Sequence, residues 1–178
     1  IHILHSSSRF SEDLDFDNTG LDKKDFKELS GIIQRKLGLE GYKTEIKNSF
    51  VGAYRVYIRI PDILYASGLS PHKAEKMLIQ VDAEPQGFKY QPAKVILNKF
   101  DVFIRINAVP VDILLSQKIY AIFSRRRPMG RDFYDTIFLL AKAKPNFGYL
   151  QEKLGIGDMF TLKEKLSRKC ANLNFRLL

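Results

Sequence analysis

The sequence predicts an α+β fold: a small, mixed, twisted sheet flanked by helices, followed by a C-terminal helical part. Three observations predict it. Short alternating runs of apolar and polar residues dominate up to residue 109. One amphipathic helical run, residues 22–37, falls among them. After Pro110 the apolar period becomes helical and stays so. The expected organisation is an α+β core over residues 1–109 and a helical part over residues 110–178 packed on it.

Each element has its own signal. Residues 1–7 read as the tail of a helix, and Glu12 to Asp17 alternates as a strand does. In 22–37, Phe26, Leu29, Ile32, Ile33 and Leu37 recur at helical spacing, Asp22 caps the start and Gly38 is expected to end it. Thr44–Val51 and Tyr54–Ile60 read as strands joined through Gly52-Ala53, an antiparallel hairpin. In the second, Tyr54, Val56, Ile58 and Ile60 face one way, and Arg55, Tyr57 and Arg59 the other. "PDILYASGLSPHK" is broken by Pro61, Gly68 and Pro71 and reads as irregular. A strand resumes at Glu75–Ala83, "EPQGFKYQP" is a loop, and short strands follow at Lys94–Leu97 and Val102–Ile106. The helical runs "VDILLSQKIYAIFSRRR", "GRDFYDTIFLLAKAK" and the tail from Phe160 are separated by Pro128, Pro145 and Gly155–Gly157.

Composition narrows the classes. The chain has 178 residues, 45% of them hydrophobic and 28% charged, ordinary for a globular protein with one sizeable core. No run approaches the roughly 18 apolar residues of a membrane-spanning helix, and "IHILHSSSR" has no signal-peptide core. The chain starts at Ile1 without an initiator Met, so a fragment or trimmed chain is expected. Its single cysteine, Cys170, forms no internal disulfide, which fits a reducing compartment and a cytoplasmic location. The net charge of +9 points to a polyanionic partner, nucleotide or nucleic acid, rather than a membrane.

Against that charge, Asp13, Asp15 and Asp17 alternate with Leu14 and Phe16. In a strand, Asp13 and Asp15 project from one face with carboxylates roughly 6–7 Å apart. Two hard oxygen donors so placed can bracket Mg²⁺. The alternative is a solvated edge strand. Leu14 and Phe16 point the other way and are expected to anchor the strand. A two-metal site needs a further acid from elsewhere in the sheet. Asp82, ending the apolar strand "KMLIQVD", is the candidate, although an acid there also marks a strand-to-loop boundary.

"RFSEDLDFD" followed by "QKIYAIFSRRRPMGRDFYD" resembles the AbiEii/AbiGii toxin family of nucleotidyltransferases. The family pattern R-x-S-x-D-x-D is met by Arg9, Ser11, Asp13 and Asp15, its acidic strand residue by Asp82, its helical lysine by Lys118, and its R-D-x-x-D by Arg131, Asp132 and Asp135. The resemblance implies a nucleotidyltransferase-like catalytic core and Mg²⁺-dependent transfer of an NMP from an NTP to an acceptor hydroxyl on RNA, such as a tRNA end, or on protein. It also implies a toxin with a possible antitoxin partner. Asp13, Asp15 and Asp82 would be the metal ligands. Arg9, Ser11 and Lys118 would meet the nucleotide; Arg125, seven residues on from Lys118 and so on the same helix face, is a further candidate from spacing. Asp132 or Asp135 would orient Lys118 or a substrate hydroxyl, or the cluster would be an ion-pair hub joining the helical part to the sheet. Two departures stand out. The family's Gly-Gly-Thr phosphate turn is absent, and Gln80 stands where many relatives carry lysine.

"SRRRPMGR" gathers Arg125, Arg126, Arg127 and Arg131 at a helix–helix turn, a phosphate rim or a solvated helix end. Arg55 and Arg59, with Tyr57 between them, could extend the rim. His2, His5 and His72 lack zinc-ligand company, and neither a G-x-S-x-G nor a P-loop is present. "GIGD" at 155–158 reads as a turn. A metal-dependent nuclease using the same acids and a non-catalytic basic RNA-binding relative are the alternative functions.

Overall fold

The computed structural model describes residues 1–9 and 13–173. In chain order the elements are α1 (His2–His5), β1 (Leu14–Asp17), α2 (Lys23–Leu39), β2 (Glu45–Ser49), β3 (Tyr54–Ile60), α3 (Ile63–Ala66), β4 (Met77–Glu84), β5 (Ala93–Lys99), β6 (Val102–Ala108), α4 (Val111–Ser124), α5 (Gly130–Leu140), α6 (Phe147–Leu154) and α7 (Met159–Ala171). The class is α+β. The chain forms two compact units, Arg9–Gly87 and Ile1–Ser8 with Phe88–Leu178. The β5–β6 hairpin thus groups with the helices that follow it.

In the first unit the strand order is β1-β4-β3-β2. β1 runs parallel to β4, and the β4–β3 and β3–β2 pairs are antiparallel. The alternation of β3 decides which face is dry. Val56, Ile58 and Ile60 are buried, and their β4 neighbours Val81 and Ile79 pack with them. Phe26 of α2 closes that core, with ring centroids 6.0 Å from Phe50 and 5.6 Å from Tyr54. The start of α2 is fixed by a reciprocal cap. Asp22 Oδ1 accepts from the Lys24 and Asp25 amides at 2.7 and 2.8 Å, and Asp25 Oδ2 accepts from the Asp22 amide at 3.1 Å.

Three local expectations are corrected here. Gly38 does not end α2; the helix runs to Leu39, and the left-handed residue that turns the chain is Gly41, with φ 88°. The "PDILYASG" stretch contains the short α3. Leu14 and Phe16 do not anchor β1: they are 39% and 57% exposed. β1 is the sheet's edge, whereas α2 packs over β2 and β3.

The second unit is built on α4 through α7. Its core gathers Ile113, Leu115, Ile119, Leu139, Tyr149, Leu150, Ile156 and Leu162. Tyr149, fully buried, stacks edge-on with Phe88 at 5.2 Å and Tyr120 at 6.4 Å. A polar clasp ties α4 to α6. The Asn146 amide donates to Ser116 Oγ at 2.8 Å, its Nδ2 donates to Asp112 at 2.9 Å, and its Oδ1 accepts from the Tyr149 amide at 2.9 Å. Each partner is polar because each is consumed: Asn146 caps α6 while Ser116 sits inside the helix packing. The β5–β6 strands extend beyond the predicted ends and turn on Phe100 and Asp101, both at positive φ.

Asp158 caps α7, accepting from Thr161 N at 2.8 Å and Thr161 Oγ1 at 2.7 Å. The backbone hydrogen bond from Thr161, then that from its hydroxyl, hold the Asp158 carboxyl below its ordinary pKa. A depressed folded-state pKa stabilises above the unfolded value of about 3.9 and fades as pH falls through the folded value. Asp158→Ala is therefore expected to lower stability at pH 7, and the gap from wild type to narrow at pH 3. Urea unfolding at both pH values checks it. A gap unchanged by acid would show that the cap does not act through its ionised form.

Candidate active site

Asp82 has two lateral neighbours, Asp15 on β1 and Arg55 on β3. Laterally paired residues share a sheet face on strands about 4.8 Å apart, so Asp15, Asp82 and Arg55 form one row across three strands. Two residues on, Asp17 is paired with Glu84 on the same face. The face opposite the apolar core thus carries two rungs of opposed carboxylates. Like charges directly opposite one another destabilise a sheet. Such an arrangement calls for cations.

One cation is built in. Arg55 Nε donates to Asp82 Oδ2 at 3.0 Å, and Gln80 Nε2 donates to both Asp82 oxygens at 3.1 and 3.2 Å. The Asp82 hydrogen bond, then its charge, push the Arg55 pKa above its ordinary value. The Asp82 side chain is 19% exposed and that of Arg55 37%. Asp15 stands exposed on the edge strand. Asp13 is exposed in a bend just before β1, so strand alternation does not extend to it as expected. Arg59 lies over the Tyr57 ring, 5.9 Å from its centroid. Ser11 lies outside the described residues, and Arg9 begins this unit.

The donor chemistry of the rungs fits a hard divalent cation: carboxylate oxygens, with the lateral spacing of adjacent strands. The described side chains do not close a cage. Among the described residues no group of three His, Cys, Asp or Glu side chains is arranged to hold a metal ion. Asp82's oxygens are turned to Arg55 and Gln80.

The remaining expected residues lie in the helical unit. Lys118 Nζ on α4 is 3.1 Å from Oδ2 of Asp135 on α5, whose side chain is fully buried. Arg125, at the end of α4, places Nη1 3.1 Å from Oδ2 of Asp132, 1% exposed. That same oxygen accepts from the Met129 amide at 3.1 Å and closes the first turn of α5. Asp132 Oδ1 is buried without a hydrogen-bond partner among the described residues. The R-D-x-x-D motif thus joins α5 to α4, with Asp135 holding the lysine and Asp132 the helix start. Arg131 is exposed.

The model of one protein family, the nucleotidyl transferase AbiEii toxin of type IV toxin–antitoxin systems, matches residues 1–168. The chain belongs to the AbiEii family. No curated protein is significantly similar to it in sequence. Among solved structures it resembles an antigenic nucleotidyltransferase-like protein from Paracoccidioides brasiliensis, with a TM-score of 0.50 and 14% identity, covering 89% of this chain and 69% of that one. At that identity the likeness speaks to the fold, which is nucleotidyltransferase-like. The family is one of transferases named as toxins of type IV toxin–antitoxin systems. Among the described residues no helix is long and apolar enough to cross a membrane.

Sequence reasoning named Asp15 and Asp82 but missed that Arg55 and Gln80 engage Asp82. Arg55 could be assigned only to the polar face of its strand. Its partner depends on the β3–β4 register, which the alternation alone leaves open.

Proposed function

We propose that this chain transfers an NMP from an NTP to an acceptor hydroxyl of RNA, a tRNA end included, or of protein, in a Mg²⁺-dependent reaction, as the cytoplasmic toxin of a toxin–antitoxin or phage-defence pair. The observation that carries the reading is the lateral pairing of Asp15 with Asp82 on parallel strands, on the polar face of a sheet from an AbiEii family member. Asp13, Asp15 and Asp82 would hold the metal. Mg²⁺, when bound, polarises the α-phosphate and lowers the pKa of the attacking hydroxyl. The chain's own residues would do the rest. Gln80 fixes the orientation of the Asp82 carboxylate. Lys118, aimed by Asp135, would supply a point charge to a phosphate oxygen. Arg125, with Arg9 and Ser11, would add phosphate contacts. The acceptor oxygen forms its bond to the α-phosphorus as the bond to the leaving pyrophosphate breaks.

The test is incubation of the full chain with each α-labelled NTP, Mg²⁺ and total RNA. Label is expected in RNA, with a preference among the four nucleotides. RNA shortened without NTP would establish the nuclease instead. No label in RNA or protein, with RNA binding that weakens steeply as salt rises, would establish a non-catalytic RNA-binding relative.

A further inference from the structure

We propose that Arg55 is an exchangeable counter-ion: it occupies Asp82 in the metal-free protein, yields that carboxylate to the divalent cation, and then binds the phosphate of the incoming nucleotide. The proposal rests on the metal reading above.

The geometry makes Arg55 suited to this. Its hydrogen bond to Asp82 is a single Nε contact of 3.0 Å rather than a two-pronged one, so its terminal nitrogens are not committed to that carboxylate. Its side chain is 37% exposed and can swing without dismantling the core, which lies on the opposite face among Val56, Ile58 and Val81. Gln80 holds both Asp82 oxygens, so Asp82 stays oriented when the guanidinium leaves. Gln80 is neutral and adds no repulsion to an arriving cation. Asp15, the lateral neighbour on the other side, lies on the exposed edge where a metal ion can enter. Arg55 donates to Oδ2 of Asp82, so a divalent cation approaching that oxygen would meet the guanidinium charge and be repelled by it. Once displaced, an arginine on the same row is placed for a triphosphate, the anion its planar fork suits best.

The proposal predicts effects of opposite sign. In Arg55→Met, Mn²⁺ alone, followed by electron paramagnetic resonance, is expected to bind about fivefold tighter than in wild type, the scale of losing a partly exposed ion pair. In the same variant, α,β-methylene nucleoside triphosphates at saturating Mg²⁺ are expected to bind about tenfold more weakly, because a charged hydrogen bond to phosphate is lost. A purely structural Arg55 would weaken both. In wild type, the Nε–H resonance of ¹⁵N-labelled Arg55 is expected to shift on adding Mg²⁺ and to stay put in Asp82→Asn. That measurement needs no folded Arg55 variant. Unchanged or weaker Mn²⁺ binding in Arg55→Met, or an Nε–H signal indifferent to Mg²⁺ while Mn²⁺ still binds through Asp15 and Asp82, overturns the exchange and leaves the metal reading standing. Absence of Mn²⁺ binding in both proteins overturns the exchange and the metal reading together.

Discussion

Asp15→Ala is expected to lower nucleotidyl transfer by about 10³-fold while leaving the protein at least as stable as wild type. The rate estimate, about 4 kcal/mol of transition-state stabilisation, is the scale for losing a group that helps hold the ion at the reacting phosphate. The stability estimate comes from the sheet. Asp15 sits on an exposed edge strand directly beside Asp82. Removing one of two opposed carboxylates relieves repulsion of roughly 0.2–1 kcal/mol. Loss of function with unchanged or raised stability is what distinguishes a functional carboxylate from a packing one. Initial rates of label transfer and urea unfolding of the same preparation check both halves. Transfer equal to wild type would remove Asp15 from the reaction, and a marked loss of stability would make the rate loss uninformative.

The sequence offers Asp15 and Asp82 together as candidate metal ligands but not their lateral register. β1 and β4 are parallel neighbours more than sixty residues apart in the chain, and no local pattern encodes such pairing. Local features were legible because they are closed within a few residues. Asp22 and Asp25 form a reciprocal cap three residues apart. Val56, Ile58 and Ile60 alternate with arginines and a tyrosine, so their buried face follows from strand geometry alone. Where two readings met the same local rule, the outcome hung on tertiary context. Gly38 and Gly41 both lie at the end of α2, yet only Gly41 takes the left-handed turn. Leu14 and Phe16 alternate as core residues would, yet they lie on a sheet edge and stay exposed. The R-D-x-x-D motif was legible as a cluster on one helix face. Which cation each aspartate meets depends on how α4 packs against α5, and that is a matter of the helix pair.

The Lys118–Asp135 pair allows structure and catalysis to be separated. Lys118→Met is expected to destabilise the protein by about 3 kcal/mol, since it removes a cation 3.1 Å from a carboxylate that is fully buried. The loss should be read from urea unfolding at pH 7. The double variant Lys118→Met/Asp135→Leu is expected to recover most of it, because a well-packed apolar pair of similar volume replaces a buried ion pair at little cost. With the fold restored, the double variant becomes the measure of the lysine's chemistry. If Lys118 gives its charge to a phosphate, the recovered protein transfers label poorly and its KM for the NTP rises. If it transfers label at the wild-type rate, the helical lysine of the AbiEii motif is in this chain a strut between α4 and α5, and the phosphate must be held by other cations.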